Sequence, residues 1–118
     1  MTLTCALVGA PVQTGTNQGG CIMGPDAFRT AGLATTIQAL GHKVIDFGNE
    51  TIDAVTCIPH ANENLHHLAE TAAWAETLQK SAYAASKACD LPIFLGGDHS
   101  LAIGTVPSVA RHAAENGQ

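Results

Sequence analysis

Three short apolar runs alternate with stretches of helical periodicity, and that alternation predicts an α/β fold of three layers, α/β/α, around a parallel sheet. None of the runs shows the in-and-out polar alternation of a half-exposed strand, so both faces of the sheet should be covered. Each run also ends in residues that turn a chain at a strand mouth: Gly9-Ala10-Pro11, Gly48-Asn49 and Gly96-Gly97.

In chain order, Leu3 to Val8 reads as a buried first strand. Val12 to Met23 is rich in Gly, Gln, Thr and Asn, has nothing with which to build a core, and is a loop long enough to suspect of function. Gly24-Pro25-Asp26 opens a helix, with proline near the first helical position and an acid in the first turn. Phe28, Ala31, Leu33, Ala34, Ile37 and Leu40 are its expected apolar face, Gly32 and Thr35-Thr36 weaken its middle, and Gly41 caps its end. Lys43 to Phe47 is the second strand, and Thr51 to Ala61 a loop. An alanine-rich helix without Gly or Pro then runs from Asn62 or Asn64 to Ala88. Leu65, Leu68, Ala69, Ala72, Ala75, Leu78, Ala82 and Ala85 mark its buried stripe. Trp74 and Tyr83 are nine positions apart on it, so at most one lies near that stripe. Pro92 to Leu95 is the third strand, and Leu101 to Ala114 the last helix, kinked or divided at Pro107. The last helix has no strand after it, so residues 1–118 look like the opening of a larger α/β domain.

Composition excludes several classes of function. With 46% hydrophobic and 13% charged residues the chain is neither disordered nor low-complexity. Ten acidic residues against five basic ones, Arg29, Lys43, Lys80, Lys87 and Arg111, spread along the sequence, argue against nucleic-acid binding. No run approaches the ~20 apolar residues that span a bilayer, and Met1-Thr2-Leu3-Thr4 lacks the positive start of a signal peptide, so a cytoplasmic protein is expected. Cys5, Cys21, Cys57 and Cys89 form no CxxC pair; Cys5 and Cys89 in particular should be core thiols.

In open parallel sheets ligands gather beyond the carboxyl ends of the strands. Three segments should meet there: Gly9 to Met23, Gly48-Asn49-Glu50, and Gly96-Gly97-Asp98-His99-Ser100. The last is the most informative, because two glycines admit close backbone approach and an acid and an imidazole follow at once. His99 is a candidate metal ligand; the bland alternative is a histidine satisfied by backbone at a helix start. Asp98 orients the His99 ring from behind or binds the metal directly, or else it caps the helix through backbone bonds.

These residues carry a resemblance. Gly96-Gly97-Asp98-His99-Ser100-Leu101-Ala102-Ile103-Gly104 resembles the signature of the ureohydrolase family, its arginase branch in particular. Leu7-Val8-Gly9-Ala10-Pro11, Gly24-Pro25-Asp26-Ala27-Phe28-Arg29 with Ala31-Gly32-Leu33, and Asp46-Phe47-Gly48-Asn49 resemble that family's first strand, first helix and second strand end, in family order. The resemblance implies an enzyme that hydrolyses L-arginine to L-ornithine and urea with two Mn²⁺ ions sharing a hydroxide, commonly as a trimer or hexamer. Of six protein ligands in such enzymes only the first maps here, onto His99. The Asp-Ala-His-x-Asp and Asp-x-Asp groups, the substrate-gripping residues and the proton-shuttling histidine have no counterpart in 1–118. The chain is therefore expected to be the amino-terminal part of an arginase-like domain, inactive alone, with other ureohydrolases (agmatinase, formimidoylglutamase) as the nearest alternatives.

Other readings compete less well. Cys57, His60, His66 and His67 suggest zinc, but their spacing matches no zinc pattern and His66-His67 suits a solvated helix face. Gly15, Gly19 and Gly20 miss the dinucleotide-binding spacing. From a different class comes a non-catalytic module that associates through a bare sheet edge bearing Ile93-Phe94-Leu95.

Overall fold

The computed structural model describes residues 1–16, 18–56 and 60–118. Its strands are β1 (Thr4–Ala10), β2 (Lys43–Asn49) and β3 (Leu91–Gly96); its helices are α1 (Gly24–Thr30), α2 (Leu33–Ala39), α3 (Leu68–Ala88) and α4 (Ala102–Glu115). Single 3₁₀ turns, Cys21–Met23 and His99–Leu101, lead into α1 and α4. The sheet is parallel with order β2-β1-β3. The chain steps from β1 to one neighbour, then back across β1 to the other. Right-handed crossovers in opposite directions put their helices on opposite faces, and the packing shows this.

On one face Cys5, Leu7 and Leu95 pack with Ile37 of α2, with Leu33, Ala34, Val44 and Ile93 around them. On the other, Ala6 and Val8 meet Ala85 of α3, beside Cys89 and Phe94. Further along, Ala10 and Val12 meet Leu78, with Trp74 and Leu101 against them. Residues 5–10 of the central strand are all buried. Leu7, Val8, Val12 and Leu78 are fully enclosed, each stabilising the fold by about 1.5–3 kcal/mol relative to exposure. Cys5 is buried and Cys89 partly so, both as free thiols, and burial pushes the Cys89 thiol up. Cys57 lies outside the described residues.

Four details differ from the sequence reading. The first helix is two, because Gly32 takes the left-handed conformation (φ 87°) that an L side chain disfavours and restarts the chain as the cap of α2. Ile37 alone of the expected apolar face is buried; Phe28 and Leu40 are exposed. The long helix begins at Leu68, not at Asn62 or Asn64. There the local side chains compete for the backbone: Asn62 Oδ1 accepts from the Asn64 amide (3.0 Å) and His60 Nδ1 from the Asn62 amide (3.0 Å). Leu65 and Leu68, expected in the stripe, are consequently exposed.

Nor does Pro107 divide the last helix, which is continuous from Ala102 to Glu115. The carbonyl that proline leaves without a helical donor belongs to Ile103, on an exposed residue where water can satisfy it. What holds α4 is its crossing with α3. A side-chain carbon on Gly104 would collide with the Ala75 carbonyl and lie 3.0 Å from the Gln79 amide nitrogen. Ser108 Oγ donates to the Gln79 carbonyl (2.9 Å) and to the Gly104 carbonyl (3.0 Å). Of the two aromatic residues on α3, Trp74 packs against the core cluster, while Tyr83 lies against α4's outer side, between Lys87 Nζ (4.6 Å from the ring centre) and Arg111 Cζ (4.7 Å), its hydroxyl donating to Glu115.

Candidate functional site

All three segments expected at the strand mouths arrive there. Beyond β2, the Glu50 amide donates to the Gly9 carbonyl (2.8 Å), and Glu50 accepts from Ser81 Oγ of α3 (2.5 Å). Beyond β1 and β3 the two backbones lie directly on one another. The Asp98 amide donates to the Val12 carbonyl (2.8 Å). Gly97 has φ 74°, and any side chain there would also strike the Ala10 carbonyl. Gly24 at the start of α1 is likewise pressed against the carbonyl of Gly96. The glycines at this junction let main chain approach main chain, as their pattern suggested.

His99 stands on the 3₁₀ turn just past β3, exposed, its ring without a hydrogen-bond partner among the described residues. Asp98 is committed elsewhere. Its Oδ2 accepts from the Gly15 amide (2.9 Å), and its Oδ1 from the Ser100 amide (2.8 Å) and the Ser100 hydroxyl. Burial pushes the Asp98 carboxyl up, but these three bonds outweigh it and hold the group below the ordinary carboxylate range. Among the described residues no hydrogen bond joins Asp98 to the His99 ring, so the contacts it makes are those of a cap.

Two open cavities lie along the loop after β1; the larger reaches the turn through Ser100, and His99 lines neither. One of about 400 Å³ is lined by Thr14, Thr16, His66, His67, Thr71 and Ser100, among others. The next, of about 340 Å³, shares Thr14, Thr16 and His67 and adds Gln13 and Glu70. His67 Nδ1 lies 3.5 Å from Glu70 Oε1. His60, His66 and His67 are exposed, and no three His, Cys, Asp or Glu among the described residues are placed to hold a metal. Thr14 and Thr16 belong to the loop that the sequence marked as a possible wall of the site, whereas nothing in the sequence singled out Thr71. Thr71 donates to Thr14 across 57 positions (3.0 Å), a link that no local pattern announces.

A second network, also missed, braces the site from the α1 side. Arg29 grips Asp46 with two parallel bonds of 2.9 Å each, and its third nitrogen reaches Asp26 (3.2 Å) and Asn49 (2.5 Å). The Arg29 hydrogen bond holds the Asp46 carboxyl below its ordinary value. Arg29 and Asp46 stood in the sequence only as parts of two resembling stretches.

Comparison with known proteins gives this geometry its context. The arginase from Agrobacterium fabrum is 46% identical over 115 residues, covering 98% of this chain and 36% of that protein. The arginase from Brucella melitensis is 48% identical over 114 residues, covering 97% and 37%. Among solved structures, arginase from Bacillus cereus superposes with a TM-score of 0.76 at 33% identity, covering 92% of this chain and 35% of that one. The Bacillus caldovelox arginase gives 0.73 at 31%, covering 94% and 38%. The chain thus spans little more than a third of the length of the relatives it matches. The model of the arginase family, described as "Arginase family", matches residues 3–117, and the chain belongs to that family.

Proposed function

We propose that residues 1–118 form the amino-terminal part of a single arginase-like α/β domain. The whole protein would be a cytoplasmic, manganese-dependent hydrolase acting on L-arginine or a related guanidino compound to give L-ornithine and urea. By family habit it would be a trimer or hexamer. The observation that carries this reading is His99: an exposed imidazole with no partner among the described residues, at the carboxyl end of the sheet, on a turn whose neighbours are pinned. A neutral imidazole suits manganese as one donor, and the described residues offer no further cluster to complete a site. When bound, manganese supplies a coordinated water of lowered pKa as nucleophile. This chain's own contribution is to hold one ligand in place and to wall the adjoining groove with hydroxyl and imidazole groups. No helix of the described residues is long and apolar enough to cross a membrane.

The test is a chimera in which this chain replaces the matching region of the Agrobacterium fabrum arginase. Urea release from L-arginine with Mn²⁺ should be retained by the chimera and fall at least ~100-fold in His99→Ala, while the 118-residue chain alone gives none. A folded chimera without activity, or one indifferent to His99→Ala, overturns the reading. Turnover by the isolated chain would overturn its incompleteness.

A second reading rests on β3, whose outer edge pairs with no strand among the described residues. An open parallel edge is a template for another chain, so a non-catalytic, self-associating role follows if the chimera fails.

A further inference from the structure

We infer that Asp98 is a positioning residue: it fixes the direction in which His99 leaves the sheet by latching the loop after β1 to the turn after β3. The inference rests on the reading of His99 as a metal donor, but the latch itself is visible without a metal.

His99 lies between two residues that are both tied down. On one side the Asp98 amide is bonded to the Val12 carbonyl (2.8 Å); on the other the Ser100 amide is bonded to Asp98 Oδ1 (2.8 Å). The same carboxylate reaches across 83 positions to the Gly15 amide (2.9 Å), so one side chain closes both the turn and the loop. The His99 ring takes part in none of these bonds. The backbone on either side is held and the ring is left available, which suits a ligand better than a structural histidine.

The chemistry of the latch is specific. Three donors, two amides and a hydroxyl, converge on one side chain and use both of its oxygens. An asparagine has a single acceptor oxygen and would turn its NH₂ against one of the donors. A serine can still cap the Ser100 amide but is too short to reach Gly15. Position 15 is constrained in turn: a side-chain carbon there would sit 2.9 Å from Ser100 Cβ and 3.0 Å from Asp98 Oδ1, forcing the loop off the carboxylate. From Thr14 the tie continues to Thr71 of α3 (3.0 Å), so the latched loop is also docked on the long helix.

The experiment uses the 118-residue chain, with His66 and His67 changed to glutamine so that His99 is the imidazole nearest the latch. Amide exchange and Mn²⁺-induced broadening are followed by NMR in this background and in Asp98→Ser and Asp98→Asn. With Asp98 intact, the Gly15 and Ser100 amides should be protected, and trace Mn²⁺ should broaden the His99 ring and the Gly15 amide together. In Asp98→Ser, Gly15 should exchange about tenfold faster while Ser100 keeps its protection, the loss expected for one charge-assisted bond. Broadening should then remain on the His99 ring and leave Gly15. Asp98→Asn should loosen Gly15 or Ser100, whichever donor the amide group faces. Unchanged Gly15 exchange in both variants, or Gly15 broadening that persists in Asp98→Ser, overturns the latch. If Mn²⁺ leaves the His99 ring of the intact chain sharp, the metal reading fails instead, and the exchange rates still decide the latch.

Discussion

Replacing Gly104 with alanine probes how tightly the turn bearing His99 is anchored, because that turn runs directly into α4. The added carbon meets the Ala75 carbonyl inside contact distance and lies 3.0 Å from both the Gln79 nitrogen and Leu78 Cβ. Two of these are backbone atoms of α3 and the third belongs to fully buried Leu78; α3 is itself seated on the sheet through Leu78 and Ala85, so the clash cannot be relieved by a flexible side chain. Overpacking of this kind costs about 1–3 kcal/mol, while alanine in a helix interior returns up to about 1 kcal/mol. The net is a loss of about 1–2 kcal/mol, which with a urea m-value of ~1.5 kcal/mol/M lowers the midpoint by about 1 M. Urea titration followed by circular dichroism reads it directly. Gly19→Ala is the control, since a side chain there meets nothing within 4 Å, and it should stay within ±0.5 kcal/mol. A Gly104→Ala midpoint equal to or above the parent's would refute the close helix crossing and, with it, the anchoring of the turn.

Three further outcomes follow from the packing and the charge network. Leu78→Ala removes a fully buried side chain and should cost about 2–5 kcal/mol in the same titration; a loss under ~1 kcal/mol would mean the site collapses onto the gap. Arg29→Ala should destabilise the chain near neutral pH, and the gap from the parent should close as pH falls below the ordinary Asp value of about 4. The sign follows from Asp46: its carboxyl is held low in the folded chain, so its contribution is present above the unfolded value and is lost as the folded group protonates. A gap constant from pH 7 to pH 2 would show that Arg29 acts by packing alone. At the sheet edge, half-exposed Leu91 on β3 should promote self-association visible by light scattering and reduced in Leu91→Lys; a monodisperse monomer at high concentration would contradict this.

The parts of the fold legible from the sequence were those written in short-range pattern. Three apolar runs closed by glycines became three strands, and Gly96-Gly97-Asp98-His99 stood at a strand mouth as the pattern required. Helix starts were less legible, because competition for backbone amides decided them: Asn62 and His60 held the chain out of α3, and Gly32 broke one expected helix into two. The site divided in the same way. The place of His99 at a strand mouth was readable from its motif, whereas the bonds from Gly15 to Asp98, Thr71 to Thr14 and Arg29 to Asp46 join distant positions and have no local signature. The role of Gly104 emerged only with the α3–α4 crossing, since its own segment reads as ordinary helix.

Metal content of the chimera with the Agrobacterium fabrum arginase tests the central claim most directly. After dialysis against limiting Mn²⁺, the chimera carrying His99 should retain manganese that the His99→Ala chimera, equally folded, has lost in large part. Equal manganese in both proteins would show that this imidazole holds no metal.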